Sequence, residues 1–184
     1  MDVTWLKKLG ILDNFFKVDT AVITIKAHHN HEACSTSIGK PDLCHEDERS
    51  ALLQFKHSFH IKKFASGDPC AYPKVESWGN ASDCCSWDGV ECDHNTGHVI
   101  GLDLSSSFLY ASINSNSSLF SLVHLRRLNL ADNHFNYSQI PTAIGNLLRL
   151  RSLNLYNSFF SGQIPSKMSS LSQLTFLNLS GVLD

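Results

Sequence analysis

From residue 99 onward, apolar positions recur in a fixed frame separated by polar ones. Leu128, Leu153 and Leu177 are equivalent, as are Leu130, Leu155 and Leu179, and Ile140-Pro141 returns as Ile164-Pro165. Within "RLNLA", two-residue alternation sends Leu128 and Leu130 inward and Arg127, Asn129 and Ala131 outward, which predicts a short strand. Leu122, Leu125, Phe135 and Ile140 are left to fill the rest of each coil. A more diverged copy holds Leu102, Leu104, Leu109 and Ile113. Ahead of the repeats the period changes. In "DERSALLQFKHSF", Ala51, Leu52, Phe55 and Phe59 lie at helical spacing, predicting an amphipathic helix. Near the start, Trp5, Leu9, Leu12 and Phe16 suggest a short amphipathic helix, followed by the strand-like "TAVITI".

A period of about 24–25 residues with an LxL core is the pattern of leucine-rich repeats. Each copy cannot bury its apolar side alone, so copies stack, and their strands form one parallel sheet on the concave face of a curved solenoid. Asn133 is placed to serve backbone groups at the turn, where water does not reach. Ser107 and Ser158 stand at that position in the neighbouring copies, so the ladder is imperfect. The fourth copy supplies Leu174, Leu177 and Leu179 and Val182 at the Asn position. An unpaired edge is therefore expected there, with residues from about 171 frayed and the chain self-associating.

A formal charge of −2 with 17% charged residues offers no electrostatic case for nucleic acid. The six cysteines are Cys34, Cys44, Cys70, Cys84, Cys85 and Cys92. They form no CxxC pair, which argues against a zinc ribbon or dithiol redox site and for disulfides made in an oxidising compartment. Neighbouring Cys84 and Cys85 are held apart by the planar peptide and so serve different bridges. Cys85 and Cys92 would close a small loop around Trp87 and Gly89, leaving Cys84 to reach back to Cys44 in front of the helix. A bridge spanning about 40 residues stabilises by roughly 3–4 kcal/mol. Cys34 and Cys70 either pair with each other or stay free. Asn80, Asn116, Asn136 and Asn178 each open an Asn-x-Ser triplet, a glycan acceptor in a secreted protein. Asn178, between inward Leu177 and Leu179, is the least suited to carry one. Lys7, Lys8, Asp13, Lys17 and Asp19 break up any secretory h-region, and no stretch reaches the ~20 apolar residues of a membrane span.

The segments "CHEDERSALLQFKHSF", "VESWGNASDCCSWDGVECD" and "GHVIGLDLS", with "SGQIP" in the repeats, resemble the start of plant leucine-rich repeat receptor-like proteins. The resemblance covers about residues 42 to 180 and implies an α/β fold: a leucine-rich repeat solenoid with a helical, disulfide-stapled N-terminal cap. It divides the chain into a 1–41 extension outside the family pattern, a 42–98 cap and about three and a half repeats over 99–184. It also implies the pairing Cys44–Cys84 and Cys85–Cys92. The family pattern would place a signal peptide ahead of the cap, and further repeats, an acidic stretch and a transmembrane helix after the repeats.

By this resemblance the function is recognition of protein or peptide ligands in cell-surface signalling or pathogen defence, with a co-receptor kinase as a further partner. The expected location is extracellular or at the plasma membrane. A secreted inhibitor of a cell-wall-degrading enzyme, similar to polygalacturonase-inhibiting proteins, is the alternative. No GxSxG elbow or HExxH helix is present, so neither enzyme activity nor a cofactor is expected. "HHNHEAC" (His28, His29, His31, Cys34) is read as incidental rather than a metal site. Candidate binding residues are the outward ones on the concave strands: Arg127, Asn129, Ser152, Asn154 and Tyr156, with Gly101, Asp103, Ser105 and Ala131 beside them. Trp78 and Trp87 are assigned to packing of the cap.

Overall fold

A computed structural model describes residues 44–79 and 81–182 and, for the backbone alone, Val22–Thr24. The expected helix around Trp5–Phe16 and the histidines at 28–31 lie outside the described residues. The "TAVITI" stretch contributes strand β1 (Val22–Thr24).

Helix α1 (Glu46–His57) opens the cap. Glu46, Asp47 and Glu48 occupy its first turn and Lys56 and His57 its last, which matches the helix dipole at both ends. Its buried face is Glu48, Ala51, Leu52 and Phe55, and it lies against the first coil, where the Ser118 hydroxyl donates to the Ala51 carbonyl at 2.8 Å. Phe59 is partly buried and packs edge-on against Phe55, with ring centroids 4.7 Å apart. After β2 (His60–Ile61) the cap folds around Trp78 and Trp87, stacked at 5.5 Å and almost fully buried. Each indole N–H is satisfied, by the Asp88 carbonyl and the Ser82 hydroxyl. In the structure Cys44 is bonded to Cys84 and Cys85 to Cys92, with Cα–Cα distances of 5.6 and 5.5 Å. Cys70 is exposed and Cys34 lies outside the described residues.

The remaining strands are β3 (Val90–Cys92), β4 (Val99–Asp103), β5 (Leu109–Tyr110), β6 (Arg127–Asn129), β7 (Ser152–Asn154) and β8 (Phe176–Asn178). The main sheet runs β1-β8-β7-β6-β4-β3. Strands β4, β6, β7 and β8 are parallel and aligned Leu102, Leu128, Leu153, Leu177, the register that the repeat spacing demands. On the far side of each coil a 3₁₀ turn returns the chain. Pro141 and Pro165 begin two of these turns, their φ of −64° and −60° being the value the proline ring imposes. Gly145 sits where neighbouring turns touch, since a Cβ there would lie 2.5 Å from the Lys167 carbonyl oxygen.

Two features correct the sequence reading. Strand β3, from the cap, adds to the sheet antiparallel to β4. At the opposite side, β1 pairs antiparallel with β8, matching Ile23 to Leu177, so that edge is not left open. The expected fraying from residue 171 is not seen. Leu171, Leu174 and Leu177 are buried, and Leu179 and Val182 pack partly against the same core. A strand edge accepts any backbone that presents matching N–H and C=O groups, and an apolar "VIT" segment meets that need as a further repeat would.

Candidate ligand-binding face

Strand register sorts the outward residues into rows across the concave sheet. One row holds Gly101, Arg127, Ser152 and Phe176; the next holds Asp103, Asn129, Asn154 and Asn178. These rows, Asn178 excepted, and Glu91 of β3 line an open groove of about 430 Å³. Arg127, Asn129, Ser152 and Asn154 therefore lie together as expected. Tyr156 stands half exposed one step beyond Asn154 and does not line the groove.

The second row has a structural task of its own. In each member the side-chain oxygen accepts the backbone N–H two residues later: Asp103 from Ser105 at 3.0 Å, Asn129 from Ala131 at 3.2 Å, Asn154 from Tyr156 at 3.1 Å and Asn178 from Ser180 at 3.0 Å. Short polar side chains that close a turn in this way direct the chain out of the strand. Asn129 also donates through Nδ2 to Asp103 at 3.1 Å. Each of these oxygens thus already makes one turn-closing bond, and the Asn129 amide hydrogen is shared with Asp103. Asn178 is half-buried, with its Oδ1 engaged by the Ser180 N–H.

Charge is concentrated at the cap end of the groove. Arg127 is paired with Glu91 across the β3–β4–β6 surface, both half exposed. Lys74, from the cap, reaches Asp103 at 2.9 Å. Burial pushes the Asp103 carboxyl up, but the Ser105 hydroxyl and N–H and the Lys74 ammonium outweigh it and hold the group down at about 2. The groove therefore grades from ion-paired residues near the cap to the aromatic Phe176. Glu91 and Phe176 were missed as groove residues, and Lys74 as the cation that pairs with Asp103. Phe176 shares its repeat position with Arg127 and Ser152, so equivalence alone could have found it. Glu91 and Lys74 come from the non-repeating cap, where no period marks them.

Beneath the cap, Glu48 is almost fully buried. It accepts the Val99 N–H at 2.8 Å and faces Nδ1 of His98 at 3.3 Å and of His124 at 3.2 Å. By residue type these three could hold a metal ion. Their geometry argues otherwise, because the two imidazoles are stacked 3.6 Å apart and within 17° of parallel. In-plane lone pairs of stacked rings run side by side and do not converge on one ion. The carboxylate is better read as a joint that ties α1 to the hairpin and the first full repeat. The other candidate set, Cys44, Asp83, Cys84 and Cys85, has its sulfurs committed to disulfides.

Comparison with known proteins fits this architecture. Residues 45–93 match the family described as Leucine rich repeat N-terminal domain, and residues 124–147 and 149–171 match Leucine Rich Repeat. Receptor-like protein 6 of Arabidopsis thaliana is 47% identical over 148 residues, which is 76% of this chain and 15% of that protein. Receptor-like protein Cf-9 of Solanum pimpinellifolium is 45% identical over 157 residues, 80% of this chain and 18% of its own length. Among solved structures, a plant ice-binding protein superposes with a TM-score of 0.61 at 30% identity, covering 75% of this chain and 41% of that one. A structure of PEPR1–AtPEP1 gives 0.56 at 29%, covering 71% and 17%. The BIR3–SERK2 complex from Arabidopsis thaliana gives 0.55 at 28%, covering 70% and 65%. The chain thus spans under a fifth of the length of these receptor-like relatives. With its cap, its disulfides, its parallel sheet and these relatives, the chain belongs to the plant leucine-rich repeat receptor-like proteins.

Proposed function

We propose that the chain is the cap-proximal part of a cell-surface recognition domain, which binds a protein or peptide ligand along its concave sheet and takes a co-receptor kinase as a further partner. The observation that carries this reading is the groove itself, a continuous strip from the Glu91–Arg127 pair to Phe176 on a rigid parallel sheet. Repeat solenoids use this surface for extended partners. Two of the similar structures are assemblies, PEPR1–AtPEP1 and the BIR3–SERK2 complex. The reading involves no catalytic step.

The test is binding of the disulfide-bonded chain to an immobilised co-receptor ectodomain of the SERK2 type and to candidate peptides. Reversing the ion pair (Glu91→Arg with Arg127→Glu) should keep the fold and change which ligands bind, while Phe176→Ala should weaken binding. Binding that ignores both variants would remove the concave face from the proposal. Inhibition of a polygalacturonase by the intact chain would instead favour the secreted-inhibitor alternative.

A further inference from the structure

On the flank of the solenoid, just past the concave strands, aromatic rings from separate coils meet around His134. Phe159 stacks on it at 4.4 Å and within 7° of parallel. Tyr110 and Tyr137 approach it at 5.2 and 5.3 Å, and Phe64 from the cap lies 5.3 Å from Tyr110. The cluster is not core: Phe64 is 67% exposed and Tyr137 is 51% exposed. Tyr137 and Phe159 also hold φ values of +54° and +52°, a backbone region that disfavours bulky residues. Phe108, two repeats before Phe159, holds +58°, so the conformation is that of the repeat's own turn, which fixes where these rings project. An aromatic surface of this sort on a soluble protein calls for an occupant.

The sequence places a modification acceptor in the middle of it. Asn136, exposed, opens the triplet Asn136-Tyr137-Ser138. Its backbone N–H donates to His134 Nδ1 at 3.1 Å, the Tyr110 hydroxyl donates to its Oδ1 at 3.2 Å, and its Nδ2 donates to the Ser112 hydroxyl at 3.4 Å. The side-chain amide is therefore held between the Tyr110 and Ser112 hydroxyls, next in sequence to the half-exposed Tyr137. We propose that Asn136 carries an N-linked glycan whose first N-acetylglucosamine stacks on this aromatic patch and covers it.

The chemistry balances without disturbing the site. The amide nitrogen attacks C1 of a lipid-pyrophosphate-linked oligosaccharide; the C1–N bond forms, the C1–O bond to pyrophosphate breaks, and Nδ2 gives up one proton. One Nδ2–H remains for Ser112, and Oδ1 still accepts from Tyr110. A pyranose presents a face of C–H groups to an aromatic ring while its hydroxyls stay in water. Each sugar face thereby removes apolar surface from solvent at no polar cost. The triplet at Asn116 is also exposed, and there the backbone N–H donates to Asn114 Oδ1, with no hydrogen bond to a tyrosine among the described residues.

This inference rests on the cell-surface reading, and the test separates the two. The chain is made in a eukaryotic secretory pathway behind a supplied signal peptide, with ¹³C-labelled N-acetylglucosamine. Peptide mapping should find Cys44–Cys84 and Cys85–Cys92 together with a glycan on Asn136. Ring-current shielding should move the proximal sugar's protons upfield from their positions in the urea-unfolded glycoprotein, and Tyr137→Ala should return them. Asn136→Gln and Ser138→Ala, which destroy the triplet in two different ways, should both raise binding of a hydrophobic dye at the patch. A secreted, correctly bridged chain with Asn136 bare, or a glycan with unshifted protons, would overturn the proposal and leave the cell-surface reading standing. Retention of the chain with unformed bridges would remove that reading and the proposal with it. Dimerisation of the glycosylated form that Tyr137→Ala abolishes would place a second copy on the patch and overturn the glycan assignment.

Discussion

Asn133 is the residue on which the turn between the first two full repeats depends, and its removal can be worked out from the structure. Its side chain is fully buried and makes five hydrogen bonds, all to backbone. Oδ1 accepts the N–H groups of Ser107 (3.2 Å) and Leu109 (3.0 Å); Nδ2 donates to the carbonyls of Leu104 (2.7 Å), Leu130 and Ala131 (both 3.1 Å). In Asn133→Ala the Leu130 carbonyl keeps the Ser158 hydroxyl and the Ala131 carbonyl keeps the Ser106 N–H. The loss therefore falls on two amides and the Leu104 carbonyl. A buried orphaned group costs about 1–3 kcal/mol, so after local relaxation the variant should lose about 3–5 kcal/mol, a large share of a marginal domain's stability. Urea unfolding followed by the fluorescence of buried Trp78 and Trp87 measures it, and hydrogen exchange at Ser107 and Leu109 localises it. Asn133→Asp keeps both acceptor contacts but turns lone pairs toward three carbonyls, so it should be no milder. A loss below about 1 kcal/mol, or unchanged exchange at those two amides, would refute the hydrogen-bond reasoning.

Three further outcomes are expected. Glu48→Ala orphans the buried Val99 N–H and removes the carboxylate between His98 and His124; it should cost about 2 kcal/mol, with exchange rising in α1 before the repeats. Gly145→Ala puts a methyl 2.5 Å from the Lys167 carbonyl and should cost about 1–3 kcal/mol by overpacking, read as a lower urea midpoint and faster exchange over 166–170. Asp103, held at about 2 against an unfolded value near ~3.9, contributes stability that is present above about pH 4 and lost as pH falls toward 2. Because the side chain is half exposed, the loss should be only about 1 kcal/mol. Asp132, also lowered, adds in the same direction: burial raises it, but hydrogen bonds from Ser66, Gly67, Ser106 and Asn157 more than offset that. Acid titration of the wild type against Asp103→Asn should therefore show a shallower fall for the variant, and parallel curves would remove the Lys74–Asp103 contact from the account.

How much was legible in advance depends on whether a feature repeats. Leu128, Leu153 and Leu177 recur at nearly equal spacing, and equal spacing permits only one register for stacked coils, so the parallel sheet was determined by sequence. The amphipathic face of α1 was determined in the same way by its own period. Asn133 was readable because an amide amid leucines at a turn has no other way to satisfy the backbone around it. The doublet Cys84–Cys85 was readable because covalent geometry disfavours a bond between neighbours.

What the tertiary structure decided are the encounters between segments that share no period. Strand β3 joins the sheet and brings Glu91 beside Arg127, and β1 closes the far edge that the repeat pattern leaves open. The Asn129 and Asn154 side chains look free for a ligand until their turn-closing hydrogen bonds are seen. Glu48 meets His98 and His124 from positions 50 and 76 residues away, and Phe64, Tyr110, His134 and Phe159 gather from a cap segment and three coils. Periodicity specifies which face of a segment is apolar and how like segments stack. It carries no information on which unlike segment completes an edge, a joint or a surface, because those pairings are selected by shape and by backbone groups left unsatisfied once the coils have closed.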